Sequence, residues 1–237
     1  MKKIFLPILG IIAFTFSAFA QKTISDANAQ ERTVKEFSGI SVSNAFDVYL
    51  TQGNEEKVVV SANDEKYLQY ITVEVRNGVL HIGWDDKKKN IRSNKKLKAY
   101  ISFKKINRLD ASGACDVNIV GSLNADELSI DLSGASDLEG KITAKNLKVE
   151  MSGSSDMKLT GDAGDLKMKL SGACSFKGFD FAVNNCDVRA SGASDVKITV
   201  NKELSADISG ASDVSYKGSA SVRDVKASGA SSVRKAS

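Results

Sequence analysis

The chain has 237 residues, with 33 lysines and arginines against 29 aspartates and glutamates, and a formal net charge of +4. Loss of the basic start, which holds Lys2 and Lys3, leaves +2, and so balanced a charge gives no reason to expect nucleic-acid binding. His81 is the one histidine, which excludes metal sites built from several histidines. The single proline is Pro7, so every later residue can donate along a β ladder.

The first twenty residues have the parts of a secretory signal peptide. Two lysines precede an apolar run over residues 4–16, and Ala18-Phe19-Ala20 supplies the small-x-small motif before a cut at Gln21. The alternative, a membrane anchor, is disfavoured because the apolar run is short for a span and no stop-transfer charges follow at once. We therefore expect residues 1–20 to be a signal peptide, residues 21–35 to be a flexible polar leader, and residues 36–237 to form a single β domain.

Residues 37–51 are predicted to form the first coil of a repeat that continues downstream. Their core, ISVSNAFDVYL from Ile40 to Leu50, aligns with LDASGACDVNI from Leu109 to Ile119 in its alternation and in its Ser, Ala, Asp and Val positions. Asn44 replaces the glycine of the later copies, and asparagine is the residue that best substitutes for glycine at positive φ.

Residues 52–104 interrupt the repeat and are predicted to be a β excursion that caps the N-terminal end of the stack, because a solenoid needs its open ends covered. Strands are expected near residues 56–61, 70–76, 78–84 and 97–103. Asn77-Gly78 is a strong signal for a two-residue hairpin turn. Residues 85–96 read as an exposed charged loop, and His81 as a surface histidine of a strand.

The remainder, residues 105–237, repeats one phrase, of which SGASDV is typical. Its glycine recurs in steps of 18 to 21 residues, at Gly113, Gly134, Gly153, Gly172, Gly192, Gly210 and Gly229. A period near 19 residues over seven copies is typical of a solenoid, in which each unit buries its apolar face against its neighbours.

Within each unit, apolar residues alternate with polar ones, as in residues 128–132 (LSIDL) and 147–151 (LKVEM). This period of two predicts half-buried strands, and the recurring glycine excludes long helices. We predict an all-β protein built as a parallel β-helix with coils of about 19 residues, for which the general rule for parallel crossovers favours right-handed winding. Each Ser-Gly is interpreted as a corner where a residue with positive φ is needed. The Asp that follows can accept hydrogen bonds from backbone N–H groups near that corner.

The repeat register also predicts the state of the three cysteines. Cys115 and Cys174 occupy the slot that serine holds in the other units, and three coils of about 4.8 Å put them too far apart for a disulfide. Cys186 takes the core slot of Leu147 and Leu166. We expect three free, buried thiols that pack as small hydrophobic groups.

FSGISVSNAFDVYLTQG, the later NGVLHIGW and the serial SGASDV units together resemble the head GIN domain family over about residues 36–225. These are exported bacterial proteins described as auto-transporter adhesins. The resemblance implies a β-helical fold outside the cytoplasm and a role in adhesion, and it supplies no catalytic residues.

Two columns of carboxylates are the best candidates for a metal site. Asp116, Asp137 and Asp156 should stack in one column, and a second column holds Asp110, Asp131 and Glu150. Like charges stacked on neighbouring strands are unfavourable unless something neutralises them. Ca²⁺, which prefers several carboxylate oxygens, could do so for the second column. The alternative is a solvated face with no metal.

The largest irregularity in the repeat is residues 175–185, where Phe176, Phe179 and Phe181 cluster and Ser175 replaces the expected Asp. Aromatic rings there could stack on sugar rings of a bound glycan. The alternative is that the rings fill a wider coil of the core.

The function predicted from these features is that of a non-catalytic exported module for binding or adhesion at the cell envelope, which recognises a glycan or another surface polymer. One alternative is a β-helical polysaccharide lyase or hydrolase, which would use the surface carboxylates and lysines. A second is a self-associating structural envelope protein, whose last coil near residues 228–233 would accept a strand from a partner. No cofactor is expected other than a possible Ca²⁺.

Overall fold

The computed structural model of the protein describes residues 26, 28–85 and 96–236. The predicted signal peptide, residues 1–20, and most of the charged loop predicted over residues 85–96 lie outside this range. None of the helices in the described part is long and apolar enough to cross a membrane.

The described residues form strands and one short 3₁₀ helix, residues Glu65–Tyr70. In chain order the strands are β1 (Ala29–Arg32), β2 (Gly39–Val42), β3 (Phe46–Gln52), β4 (Lys57–Ser61), β5 (Ile71–Arg76), β6 (Val79–Trp84), β7 (Leu97–Phe103), β8 (Arg108–Ala111), β9 (Asp116–Leu132), β10 (Asp137–Gly153), β11 (Asp156–Gly172), β12 (Ser175–Gly192), β13 (Asp195–Ile208), β14 (Asp213–Lys217), β15 (Ser221–Ala227) and β16 (Ser232–Lys235).

The repeats stack as a β-solenoid of about seven turns, which confirms the predicted parallel β-helix. Strands β9 to β13 pair in parallel, each with the next, so that equivalent residues of successive repeats are neighbours. Asp137, for example, pairs with Asp116 on one side and with Asp156 on the other. The strands are long because each runs through a bend of its coil without leaving the sheet.

The core consists of vertical files of apolar side chains, one from each coil. One such file contains Leu128, Leu147, Leu166, Cys186 and Leu204, all at most 3% exposed. Because each large apolar side chain contributes about 1.5–3 kcal/mol when buried, files that cross every coil supply the main driving force for stacking. The alternation of the sequence thus determines which side of each strand becomes core.

The corner glycines all have positive φ, between 75° and 110°. Their spacing is also too tight for a side chain: a Cβ on Gly153 would lie closer than 3.0 Å to the carbonyl oxygen of Gly134, the corner glycine of the coil before. Backbone N–H groups bridge the same corners, as from Ser154 to the Gly134 oxygen at 2.8 Å. The repeated glycine is therefore required both by its conformation and by the close approach of coils.

The residue two places after each corner glycine points into the core. In most coils it is a serine, whose hydroxyl donates back to the carbonyl three residues earlier, as from Ser155 to Ser152 at 3.0 Å. Cys115 and Cys174 occupy the same column, and their thiols lie 3.4 and 3.6 Å from the equivalent carbonyls. Together with Cys186 they are buried and free, as predicted.

The first coil is formed by β2 and β3, which pair in parallel with β8 and β9 of the next coil. The observed register places Ile40 beside Leu109 and Leu50 beside Ile119, as the alignment predicted. Asn44 takes the corner with φ 81°, in agreement with its interpretation as a substitute for glycine.

The excursion between the first and second coils lies on the N-terminal side of the stack. Strand β6 pairs in parallel with β2, and β7 pairs in parallel with β3. Farther out, β5 pairs antiparallel with β6, and β4 pairs antiparallel with β7. The hairpin turn between β5 and β6 has φ 51° at Asn77 and 75° at Gly78, as the motif predicted. The change from parallel to antiparallel pairing ends the stack at this side.

Four residues of the predicted flexible leader, residues 21–35, lie in a strand. Residues 29–32 form β1, which pairs antiparallel with β4. Arg32 donates a hydrogen bond to the Leu68 carbonyl at 2.7 Å, and Asp26 lies within 2.9 Å of the Lys98 ammonium. This strand could not be predicted, because its AQER segment lacks apolar alternation and its position depends on partners distant in the chain.

Candidate functional site

The outward-facing side chains of the strand segments that directly follow the corners form one lateral face, here called the post-corner face. It has two columns. The first contains Asp47, Asp116, Asp137, Asp156, Ser175, Asp195 and Asp213. The second contains Tyr49, Asn118, Glu139, Lys158, Lys177 and Lys197. The first column is acidic almost throughout, whereas the second changes in the middle of the solenoid from two neutral side chains and one glutamate to three lysines.

A groove of about 380 Å³ runs across this face. Its outward-facing lining comprises Asp116, Asn118, Asp137, Glu139, Asp156, Lys158 and Lys177, which belong to four successive coils. At about 4.8 Å per coil, the groove extends about 14 Å along the solenoid axis. It is open and polar, so a ligand that binds there would remain partly in contact with solvent.

The two lysines at the basic end of the groove each form an ion pair with a carboxylate of the preceding coil. The Lys158 ammonium lies 2.6 Å from a Glu139 oxygen, and the Lys177 ammonium lies 3.1 Å from a carboxylate oxygen of Asp156. These side chains are about half exposed, so each pair contributes little to stability and can exchange its partner for a ligand group.

The acidic end of the groove is less well balanced. Asp116 lies between Asp47 and Asp137 in the column, and partial burial together with these two like charges raises the pKa of its carboxyl. Asp137 accepts a hydrogen bond from the backbone N–H of Asp156 at 3.2 Å. The groove therefore offers acceptors at one end and ammonium donors at the other.

Two stacked tyrosines continue the second column beyond the acidic end. The rings of Tyr49 and Tyr100 are 5.0 Å apart and nearly parallel. The Tyr100 hydroxyl donates to Asp26 at 2.7 Å, and burial, followed by that hydrogen bond, raises the pKa of Tyr100. The leader thus fixes the ring that supports Tyr49.

The predicted calcium column belongs to a different face, formed by the strand segments that precede the corners and here called the pre-corner face. Asp110, Asp131 and Glu150 are neighbours in register, as expected. Arg108 lies 2.7 Å from Asp110, and Lys148 lies 2.7 Å from Glu150.

Within the described residues, no group of three or more acidic, histidine or cysteine side chains converges so as to hold a metal ion. The geometry lends the calcium interpretation no support, because Arg108 and Lys148 of the same strands pair with the outer two carboxylates. Burial and its two acidic neighbours raise the pKa of Asp131, the carboxyl between them.

The aromatic cluster predicted to stack on sugars is also corrected. Phe176 and Phe181 are 0% exposed and belong to the core, where they fill the wider coil. Phe179 is half-buried, and the Lys217 ammonium lies 5.0 Å from the centre of its ring. No surface platform of three rings forms, and the alternative reading of this segment agrees with the structure.

His81 lies in β6, between Glu74 of β5 and Ser41 of β2, and is half-buried.

Of the groove, only the column of Asp116, Asp137 and Asp156 was predicted from the sequence; the second column was missed, although a signal for it was present. Aligning the residues two places after Asp116, Asp137, Asp156 and Ser175 gives the series Asn118, Glu139, Lys158, Lys177, and its change of charge marks this face.

The comparisons with known proteins agree with this architecture. A family profile described as "Putative auto-transporter adhesin, head GIN domain" matches residues 36–220. The chain belongs to the head GIN domain family. Membership in a family of adhesins indicates a protein that acts at the cell surface or is exported, and that binds an external partner.

Solved structures share the fold of this head GIN domain chain. A protein from Bacteroides fragilis described as a "putative adhesin" is 23% identical, with a TM-score of 0.80 over 88% of this chain and 96% of its own. A "putative adhesin" from Parabacteroides merdae is 19% identical, with a TM-score of 0.68 over 88% and 95%. A "Putative lipid binding protein" from Parabacteroides distasonis is 18% identical, with a TM-score of 0.68 over 88% and 96%. No match was found among curated proteins.

Proposed function

We propose that this head GIN domain protein is a non-catalytic adhesion module, exported to the cell envelope, that binds a glycan or another hydroxyl-rich surface polymer in the groove of the post-corner face. The observation that carries the proposal is the groove itself, in which carboxylates and ammonium groups from four coils are aligned along one axis. The family assignment supports the adhesive role.

The chemistry of the lining suits a chain of hydroxyl groups. The carboxylates of Asp116 and Asp137 can accept hydrogen bonds from paired hydroxyls, and Lys158 and Lys177 can donate to ring, hydroxyl or carboxylate oxygens. Charge-assisted hydrogen bonds are the stronger ones, so several weak subsites in a row would give useful affinity.

The fold also suits an extended ligand. Because the lining residues sit on paired strands rather than on loops, their spacing is fixed by the sheet at about 4.8 Å per coil. A rigid, regular surface lowers the ordering cost of binding and favours a polymer that lies along the solenoid axis. The Tyr49 and Tyr100 rings would extend the same track with an apolar surface.

The proposal is tested with a glycan array probed with the labelled exported chain. A double variant of the groove, Asp137→Asn with Lys177→Met, removes one acceptor charge and one donor. Its matched control on the pre-corner face is Asp131→Asn with Lys169→Met, which changes the same residue types at equally exposed positions.

The groove variant should lose at least about tenfold in affinity for any polymer that the unchanged protein binds, corresponding to about 1.4 kcal/mol. The control should bind as the unchanged protein does. Equal losses in both variants, or a loss in the control alone, would refute the groove as the binding site.

Catalysis by the same groove is the competing function, because carboxylates and lysines are also the residues of β-helical lyases and hydrolases. It is distinguished by incubating each bound polymer with the protein and measuring new reducing ends and unsaturated products. Binding without product formation agrees with the adhesion module, whereas product formation that the groove variant abolishes would replace it with an enzyme.

A further inference from the structure

The last coil presents an unpaired apolar edge. Strand β15 pairs with β13 on one side, and no strand of the described chain pairs with its other edge. Every residue of β15 is exposed. Val222 and Val225, which are 40% and 43% exposed, are the large hydrophobic residues found exposed in the part of the chain that the structure describes.

A bulge in β15 places both valines on the core side. The register with β13 shifts after Arg223, so that Val222 lies beside Leu204 and Val225 lies beside Ala206, both buried core residues. Asp224, with φ 48°, is the extra residue. Without the bulge, residues three apart in a strand would point to opposite faces. The bulge therefore creates a two-valine patch that continues the core to the end of the stack.

The segment between and including these valines is self-complementary. Read against a second copy of itself in antiparallel register, Val222-Arg223-Asp224-Val225 places each Val222 opposite Val225 and each Arg223 opposite Asp224. A two-fold axis between Arg223 and Asp224 generates this pairing. We infer that two copies of the chain dock end to end through β15, joining their cores at the valines and their outer surfaces by two Arg–Asp pairs.

A second copy fits this end better than an unrelated partner does. The pairing of Val222 with Val225 and of Arg223 with Asp224 uses the same segment twice, and a second copy of the chain supplies that segment. A two-fold contact is isologous and closes at two copies. The opposite end of the solenoid finishes in β1 and β5, which run antiparallel to their neighbours, so a head-to-tail contact would join two unlike edges.

The inference is independent of the groove, which lies on a lateral face, and it is tested by exchanging charges. Arg223→Asp gives each copy two negative charges at the contact, and Asp224→Arg gives each copy two positive charges. Either variant alone places like charges opposite each other, but an equal mixture of the two restores an opposite pair at both positions. Glu203→Gln is the matched control, because it removes the intrachain ion pair of Arg223 at 3.2 Å and leaves the self-complementary segment unchanged.

The full exported chain is examined by sedimentation velocity from about 1 µM to about 1 mM, and the mixture by native mass spectrometry. The expected result is a dimer for the unchanged protein and for E203Q, a dissociation constant at least about tenfold higher for R223D and for D224R alone, and heterodimers in their mixture. Circular dichroism establishes that each variant is folded.

Three results would overturn the inference. The unchanged protein could remain a monomer over the whole range, it could form species that grow without limit, or the two charge variants could dimerise as well alone as in the mixture. None of these results would bear on polymer binding in the groove.

Discussion

Replacing the corner glycine Gly153 by alanine tests the stacking of the coils most severely. Gly153 has φ 79°, where an L-residue costs about 1–2 kcal/mol. Its new Cβ would also lie closer than 3.0 Å to the Gly134 carbonyl oxygen, and overpacking of this kind costs about 1–3 kcal/mol. The total loss is therefore about 2–5 kcal/mol, a large part of the stability of a typical domain.

A second glycine supplies the matched control. Gly121 has φ 85°, but no atom lies within 4 Å of the position that a Cβ would take there. Gly121→Ala should therefore show the conformational cost alone, about 1–2 kcal/mol. Urea unfolding followed by circular dichroism measures both variants. Equal losses for the two would refute the reasoning, because they would mean that corners of successive coils do not touch.

Three further outcomes are expected. Ser155→Ala should destabilise the protein by about 1–2 kcal/mol in urea unfolding, since a buried hydroxyl and its hydrogen bond to the Ser152 carbonyl are lost. Ser155→Cys should cost less, because Cys115 and Cys174 fill the same column in other coils. Equal costs for the two variants would contradict this. Asp116→Asn should stabilise the protein at pH 7, because the raised pKa of Asp116 means that its charged form is disfavoured on folding. The advantage should vanish as the pH falls through that raised pKa to below about 4, and an advantage that grows on acidification would contradict the sign. Tyr100→Phe should weaken the attachment of Asp26, so hydrogen exchange in β1 should become faster while exchange in β11 is unchanged, and no change in β1 would contradict the anchoring.

The repeat made the solenoid predictable, because its period determines which residues of successive coils lie beside each other in the sheet. The corner glycines, the buried serine and cysteine column and the substitution by Asn44 all follow from aligning the copies. The excursion strands were predictable for a different reason, since each carries its own alternation and Asn77-Gly78 specifies its turn.

Features that depend on partners distant in sequence were not predictable in the same way. Strand β1 is held by its pairing with β4 and by the hydrogen bond from Arg32 to the Leu68 carbonyl, and neither β4 nor Leu68 can be recognised as a partner from the AQER segment alone. The phenylalanines of residues 176–181 were candidates for stacking on a sugar because this segment interrupts the repeat, yet the wider coil buries two of them in the core. In the predicted calcium column the partners are near in sequence: Arg108 and Lys148, two residues before Asp110 and Glu150, form ion pairs with them, which the stacking of carboxylates alone did not indicate.

The most direct test of the account is a map of backbone amide chemical shifts on addition of a polymer that the protein binds. We expect the changes to fall on residues 116–118, 137–139, 156–158 and 177, which line the groove of the post-corner face. Changes confined to residues 129–131 and 148–150 of the pre-corner face, with the groove unaffected, would contradict the assignment of the binding site.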